Sequence, residues 1–255
     1  MEKLKIIILF CILMGFNSCI KKMDELYPII NKFNLSCPTQ TYIGDIDSIR
    51  LVEDTVYINI SVNSSFPFDV YVKNADKAKN ISLIELCLYT KYENTSDVFI
   101  KLVNANKYVV INYQAKLDNR EATCILRGSE VKEKYKSIGT YSLAQLAIIS
   151  QVTTNNLKCP AKIDDGITIN GVHYDGKDII YEYGIDEDVL YFENVRANLN
   201  EYKSYMLSTL IPTKYESQYA TFLSYLEECN CGYVYNFTGN KSGNSASFRI
   251  DLTDF

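Results

Sequence analysis

The chain has no tryptophan and one histidine, His173, among its 255 residues. A single histidine excludes any metal centre built on a histidine pair, and every triad or histidine general-base mechanism would hang on that one side chain. His173 alternates with Val172 and Tyr174, so it reads as a strand-surface residue, and no catalytic residue is assigned. An excess of basic charge is missing too: 26 Lys and Arg stand against 31 Asp and Glu, a net charge of −5. The short basic run at 132–136 is interrupted by Glu133. Phosphate neutralisation has no platform, which excludes nucleic acid as a partner. The apolar stretch 6–15 is too short for a membrane span of about 20 residues.

What the chain does have is a duplication. Asn34-Leu35-Ser36-Cys37-Pro38 returns as Asn156-Leu157-Lys158-Cys159-Pro160, and the match in residue type continues nearly to the end. The offset is 122 at the Cys-Pro heads, 123 between Phe99 and Phe222, and 124 between Asn112 and Asn236. A period this long, far above the roughly 20–50 residues of solenoid repeats, implies two closed domains of one fold. The boundaries follow as a signal peptide at 1–18, a tether at 19–22, a first repeat at 23–127, a linker at 128–141 and a second repeat at 142–255.

The first 18 residues carry Lys3 and Lys5, then the short apolar run, then Asn17-Ser18 before Cys19, the pattern of a secretion signal. Phe16-Asn17-Ser18-Cys19 resembles a relaxed bacterial lipobox. That resemblance implies cleavage before Cys19 and a diacylglycerol on its sulfur, hence a lipid-bilayer partner and an anchored domain pair in the cell envelope. Plain signal cleavage is the alternative. Removing residues 1–18 leaves 24 basic and 30 acidic residues, a net charge of −6. Phe16 and Asn17 depart from the usual lipobox in the manner of Bacteroidetes lipoproteins, which place the anchor in the outer membrane with its face left open.

Within each repeat the pattern predicts helix, hairpin, helix pair, hairpin. Short helices at 23–32 and 142–151 precede the Cys-Pro heads. Strands at 167–174 and 178–183 meet at Asp175-Gly176, a dipeptide suited to a tight turn; 46–52 and 56–61 repeat the signal across Glu53-Asp54. Val195, Leu199, Tyr202, Met206 and Leu210 mark one helix face. Pro212 is read as that helix's end, and Thr213 with Glu216 as a capping box opening the next. Closing strands are expected at 108–113, 122–126, 232–237 and 245–252. The fold class is therefore α+β: two homologous domains, each a roughly four-stranded antiparallel sheet covered on one face by helices.

Six mature cysteines besides Cys19 invite a disulfide, and Cys159 with Cys229 or Cys231 is the candidate bridge. Cys87 falls where the second copy has Leu210, and Cys124 on Phe248, so both read as core residues. Cys229-x-Cys231 lacks the spacing and the second pair of a zinc site, and the Asp164-Asp165 and Asp186-Glu187-Asp188 groups lack calcium-loop spacing, so no metal or cofactor is assigned. The twenty-one tyrosines supply a candidate carbohydrate or peptide strip at Tyr174, Tyr181 and Tyr183. Asp47-Ser48-Ile49 and Asp54-Thr55-Val56 resemble the O-glycosylation sequon of exported Bacteroidetes proteins, which nominates Ser48 and Thr55. His173 is aligned with Leu51.

The segment 156–169, followed by Tyr174-Asp175-Gly176 and Ile179-Ile180-Tyr181-Glu182-Tyr183, resembles a small domain found singly and in tandem in bacterial envelope proteins of unknown activity. The resemblance implies the domain and carries no functional residues. The leading expectation is a non-enzymatic envelope lipoprotein binding a protein or a glycan, with the interdomain cleft the first place to look. A thiol or acid-base enzyme using Cys229, Cys231 or His173 is one alternative. An inhibitor or immunity-type protein partner is the other.

Overall fold

The computed structural model describes residues 25–41, 43–63, 66–214 and 217–254. The signal peptide, the tether and Cys19 lie outside the described residues. The chain is α+β and holds two sheets of five strands each, in order β1-β2-β3-β4-β5 and β10-β9-β8-β7-β6. In the first repeat, helix α1 (Leu26–Asn34) precedes β1 (Thr39–Gln40), β2 (Gly44–Val52) and β3 (Thr55–Val62). Then come α2 (Phe68–Lys73), α3 (Ala75–Tyr89), α4 (Ser96–Asn104), β4 (Tyr108–Ala115) and β5 (Glu121–Leu126). After α5 (Gly128–Ile138), the second repeat runs α6 (Leu143–Asn156), β6 (Ala161–Asp164), β7 (Ile167–Tyr174) and β8 (Ile179–Ile185). It closes with α7 (Phe192–Ala197), α8 (Leu199–Lys214), α9 (Ser217–Glu228), β9 (Tyr233–Gly239), β10 (Ser245–Ile250) and a 3-10 turn (Leu252–Asp254).

Two features differ from the expected sheet. Each has a fifth, short edge strand formed by the residues that follow the Cys-Pro head, and each has a parallel pair at its centre, β3 with β4 and β8 with β9. Parallel neighbours need a crossover rather than a hairpin, and the helix pair that the periodicity shows is that crossover, joined by the short α2 or α7. The other neighbours are antiparallel.

Local details repeat with the elements. A bulge at Asp47 in β2 returns at Asn170 in β7. The Asn34 side chain accepts from the Ile49 amide at 2.9 Å and donates to the Ile49 carbonyl at 2.7 Å, and Asn156 accepts from the Val172 amide at 2.9 Å. Both Cys-Pro bonds are cis. Glu53 and Gly176 take positive φ at equivalent hairpin turns, and Asn106 and Asn230 do so after α4 and α9. Glycine at 176 removes the Cβ penalty that Glu53 carries at the same place.

Register also corrects the alignment of His173. It pairs with Ile180 as Arg50 pairs with Tyr57, so its counterpart is Arg50 rather than Leu51. The added residue sits in the β6–β7 turn, where 163–167 replace 41–44, and a slip of one residue moves a strand side chain to the opposite face.

Each sheet turns one face to its helices. In the first repeat Ile46, Ile49, Val56, Ile58, Ile60, Val62, Val109, Ile111 and Leu126 are at most 1 % exposed and pack beneath α1, α3 and α4. The second half of helix α3, residues 81–89, is apolar nearly all round because it is covered twice. Ala78, Leu86 and Tyr89 face the first core, while Ile84, Cys87 and Leu88 join Ile138, Leu146 and Ala147 of α5 and α6. The two repeats therefore meet through packed helices, and the contact expected to be a cleft is filled. The segment 128–141 is mostly α5, whose Val131 belongs to the first core, so the expected linker is a structural helix.

In the second repeat α8 runs through Pro212 to Lys214. A proline this near a helix end removes one backbone hydrogen bond without stopping the chain two residues early. The capping box expected at Thr213 and Glu216 involves Glu216, outside the described residues.

Candidate binding groove

Helix α1 buries Leu26, Ile30 and Phe33, spaced four and three apart, against the first core. The edges of that stripe lie against α4, where Phe33 meets Phe99 edge-on at 6.4 Å. Residues of the two short helices and of the loop before α4 line a groove of about 600 Å3. Its apolar wall is Pro28, Ile29, Phe33 and Val98, and its rim carries Lys32 and Lys101 with Glu93 and Asp97. That volume falls within the roughly 300–1,000 Å3 of ligand pockets. The second repeat places Ser150, Gln151, Thr221 and Ser224 where the first has Pro28, Ile29, Val98 and Lys101, so the apolar wall belongs to the first repeat alone.

The sheet faces away from the helices are polar at their centre. In the first sheet, Asn59 donates to Ser48 at 2.9 Å, Asn112 to Asn59 at 3.0 Å and Thr123 to Asn112 at 3.1 Å, a ladder over four strands. A hollow of about 160 Å3 beside it is lined by Asp47, Asn59, Asn112, Gln114, Glu121 and Thr123. Asn236 repeats the step in the second sheet, donating to Glu182 at 3.2 Å.

The sequence-nominated tyrosines go elsewhere. Tyr181 and Tyr183 point inward beneath the helices, Tyr183 being 5 % exposed, and they stack with Tyr235 at ring separations of 5.3 and 6.2 Å. Tyr183 with Phe237 and Tyr235 with Phe248 extend the stack at 5.0 Å. Tyr174 packs at the margin of the same core. The strip is core packing and offers no sugar-stacking platform. The alternation of Ile179, Tyr181, Tyr183 and Ile185 against Glu182 and Gly184 carried that signal.

No disulfide joins the nominated cysteines: Cys37, Cys87, Cys124, Cys159, Cys229 and Cys231 are all free thiols. Cys159 packs against the second core beside the first edge strand, whereas Cys231 is fully buried where β9 begins and donates to the Gly232 carbonyl. Burial pushes Cys231 up to about 12, with Asp178 adding to the effect, and burial pushes Cys87 to about 12. Burial also raises Cys159 and Cys229. None of these environments favours a thiolate nucleophile. His173 is exposed on the outer face of β7. Among the described residues, no group of three His, Cys, Asp or Glu could hold a metal.

Ser48 is half-buried and its hydroxyl is the acceptor at the end of the amide ladder; Thr55 opens β3 at the hairpin. Asp178, 5 % exposed, is clamped by Arg249 at 2.9 and 3.1 Å and by the Gly232 amide at 2.9 Å, and the Arg249 guanidinium holds its carboxyl below the usual range. A feature that the sequence reading missed is a hydroxyl chain in the first core, Tyr71 to Ser82 at 3.2 Å, Ser82 to Tyr113 at 2.9 Å, and Tyr113 donating to Glu85 at 2.5 Å.

No protein-family model matches the chain. No curated protein matches it. A solved structure described as a "putative secreted protein" from Pseudomonas aeruginosa is similar at 18 % identity and a TM-score of 0.35, over 45 % of this chain and 97 % of its own. Among the described residues, no helix is long and apolar enough to cross a membrane.

Proposed function

We propose that this chain is a non-enzymatic envelope lipoprotein, anchored through acylated Cys19, that takes an apolar segment of a protein partner in the α1–α4 groove. The observation that carries the reading is the groove itself, an apolar wall with cations and carboxylates around it. Such a rim selects a segment with charges of both signs flanking its apolar anchors, as in helix-in-groove recognition. The raised thiols and the solitary exposed histidine weigh against the enzymatic alternative. The inward tyrosines remove the original basis for glycan binding.

Site-specific photo-crosslinking in the native envelope tests the reading. A photoreactive residue at Ile29 or Lys101 is expected to capture one defined protein, and the same residue at exposed Tyr191 in the second repeat is not. Loss of that adduct on Ile29→Asp would support the groove. Substrate turnover by residues 20–255 that disappears with Cys229→Ser or His173→Ala would sink the binding-module reading.

A second reading, glycan capture, rests on the outward amide ladder and on the hollow beside it, lined by Asp47, Asn59, Asn112, Gln114, Glu121 and Thr123. Titration with envelope glycan fragments, with Asn112→Leu as the control, separates it from the groove.

A further inference from the structure

Helix α1 carries a third face that neither the core nor the groove uses. At about 100° per residue, Leu26, Ile30 and Phe33 point to the core, and Pro28, Ile29 and Lys32 to the groove. Tyr27, Asn31 and Leu35 lie on a separate stripe. Tyr27 is 47 % exposed and Leu35 is 88 % exposed, the highest exposure of any large apolar side chain described. Lys32 stands beside this stripe, and Lys21 and Lys22 precede the helix in sequence.

Cys19 is only six residues before Glu25, the first described residue of this region. A chain of that length spans at most about 20 Å. If Cys19 is acylated, the start of α1 cannot leave the neighbourhood of the headgroups.

We propose that the Tyr27–Leu35 face of α1 docks on the bilayer surface, so that the α1–α4 groove opens at the level of the lipid headgroups. The occupant is the bilayer surface that holds the anchor. Leu35 and the Tyr27 ring enter the interface, Asn31 stays at headgroup depth, and Lys32 meets phosphates. Tether length chooses a bilayer over a second protein. The proposal rests on the anchored reading above and adds an orientation to it.

The absence of tryptophan makes the test clean. Single-tryptophan chains Leu35→Trp, Tyr27→Trp and, as a remote control, Tyr191→Trp are purified in full lipidated form and reconstituted into phosphatidylglycerol-containing vesicles. Trp at positions 35 and 27 is expected to shift to the blue and to be quenched several-fold more than Trp at 191 by brominated acyl chains. Quenching at 35 and 27 no greater than at 191, in protein whose intact mass shows the acyl groups, overturns the docking while leaving the anchor. A mass without acyl groups overturns the anchor and the docking together.

Discussion

Tyr113 donates its hydroxyl to the Glu85 carboxylate at 2.5 Å inside the first core, where Glu85 is 2 % exposed. Burial pushes the Glu85 carboxyl up to about 7 from 4.5, against the Tyr113 hydrogen bond, which acts in the opposite direction. Tyr71, Tyr89 and Cys124 also face it, all held neutral by burial. The second repeat has Ser208 and Phe237 at the places of Glu85 and Tyr113, so the network belongs to one domain.

The folded value lies above the unfolded one, so Glu85 supports the fold fully below about pH 4.5 and withdraws that support as pH rises through about 7. The expected loss between pH 5 and pH 8 is roughly 3 kcal/mol at most. Glu85→Gln keeps an acceptor for Tyr113 and removes the titration. Urea unfolding at the two pH values is expected to show a smaller difference for the variant, and a variant with an unchanged pH slope would assign the effect elsewhere.

The duplicated asparagine latches give an internal comparison. Asn34 makes two hydrogen bonds to Ile49, and Asn156 makes one to Val172. At about 1 kcal/mol per bond, Asn34→Ala is expected to cost about twice as much as Asn156→Ala. Thermal unfolding of the two single variants checks the ratio. Equal losses would show that the second Asn34 bond is energetically silent.

The duplication, the hairpins and the fold class were legible because they rest on local chemistry: a repeated Asn-Leu-x-Cys-Pro head, turn residues and helix periodicity; the hydrogen bonds of Asn34 and Asn156 were not, since their partners lie 15 and 16 residues away. The parallel centre of each sheet was not, since the order in which distant strands pair leaves no local mark. The face assignment of Tyr181 and Tyr183 needed only Glu182 and Gly184 on the opposite side of β8. Glu85 was readable too. A carboxylate within 81–89, a helix stretch apolar all round, has nowhere to go but the interior. The groove depends on how α1 and α4 sit against each other, which residue types alone do not fix.

Free thiols make a direct chemical prediction. Cys87, Cys124 and Cys231 are buried, while Cys37, Cys159 and Cys229 are half-buried. Intact mass after brief alkylation at pH 8 is expected to show the second set modified first, with the first set reacting only in denaturant. Thiolate character as well as access limits Cys87 and Cys231, both raised to about 12. Detection of a Cys159–Cys229 or Cys159–Cys231 crosslinked peptide without oxidant would contradict the structure.

The packed contact between repeats should make them unfold together. Leu146 and Ala147 of α6 are fully buried against Ile84, Cys87 and Leu88 of α3, and Ile138 of α5 closes the same cluster. Leu146→Ala removes apolar contact and leaves a cavity, for an expected loss of about 2–5 kcal/mol. Ala147→Arg is the sharper test, because it forces a charge between helices while leaving both sheet cores intact. The wild type is expected to show one denaturant transition and Ala147→Arg two, the second repeat melting first because more of its apolar residues are only partly covered, among them Tyr202, Met206, Leu207, Leu210 and Phe248. A single transition in the variant, displaced but with an unchanged slope, would mean that the repeats are coupled through α5 rather than through the α3–α6 contact.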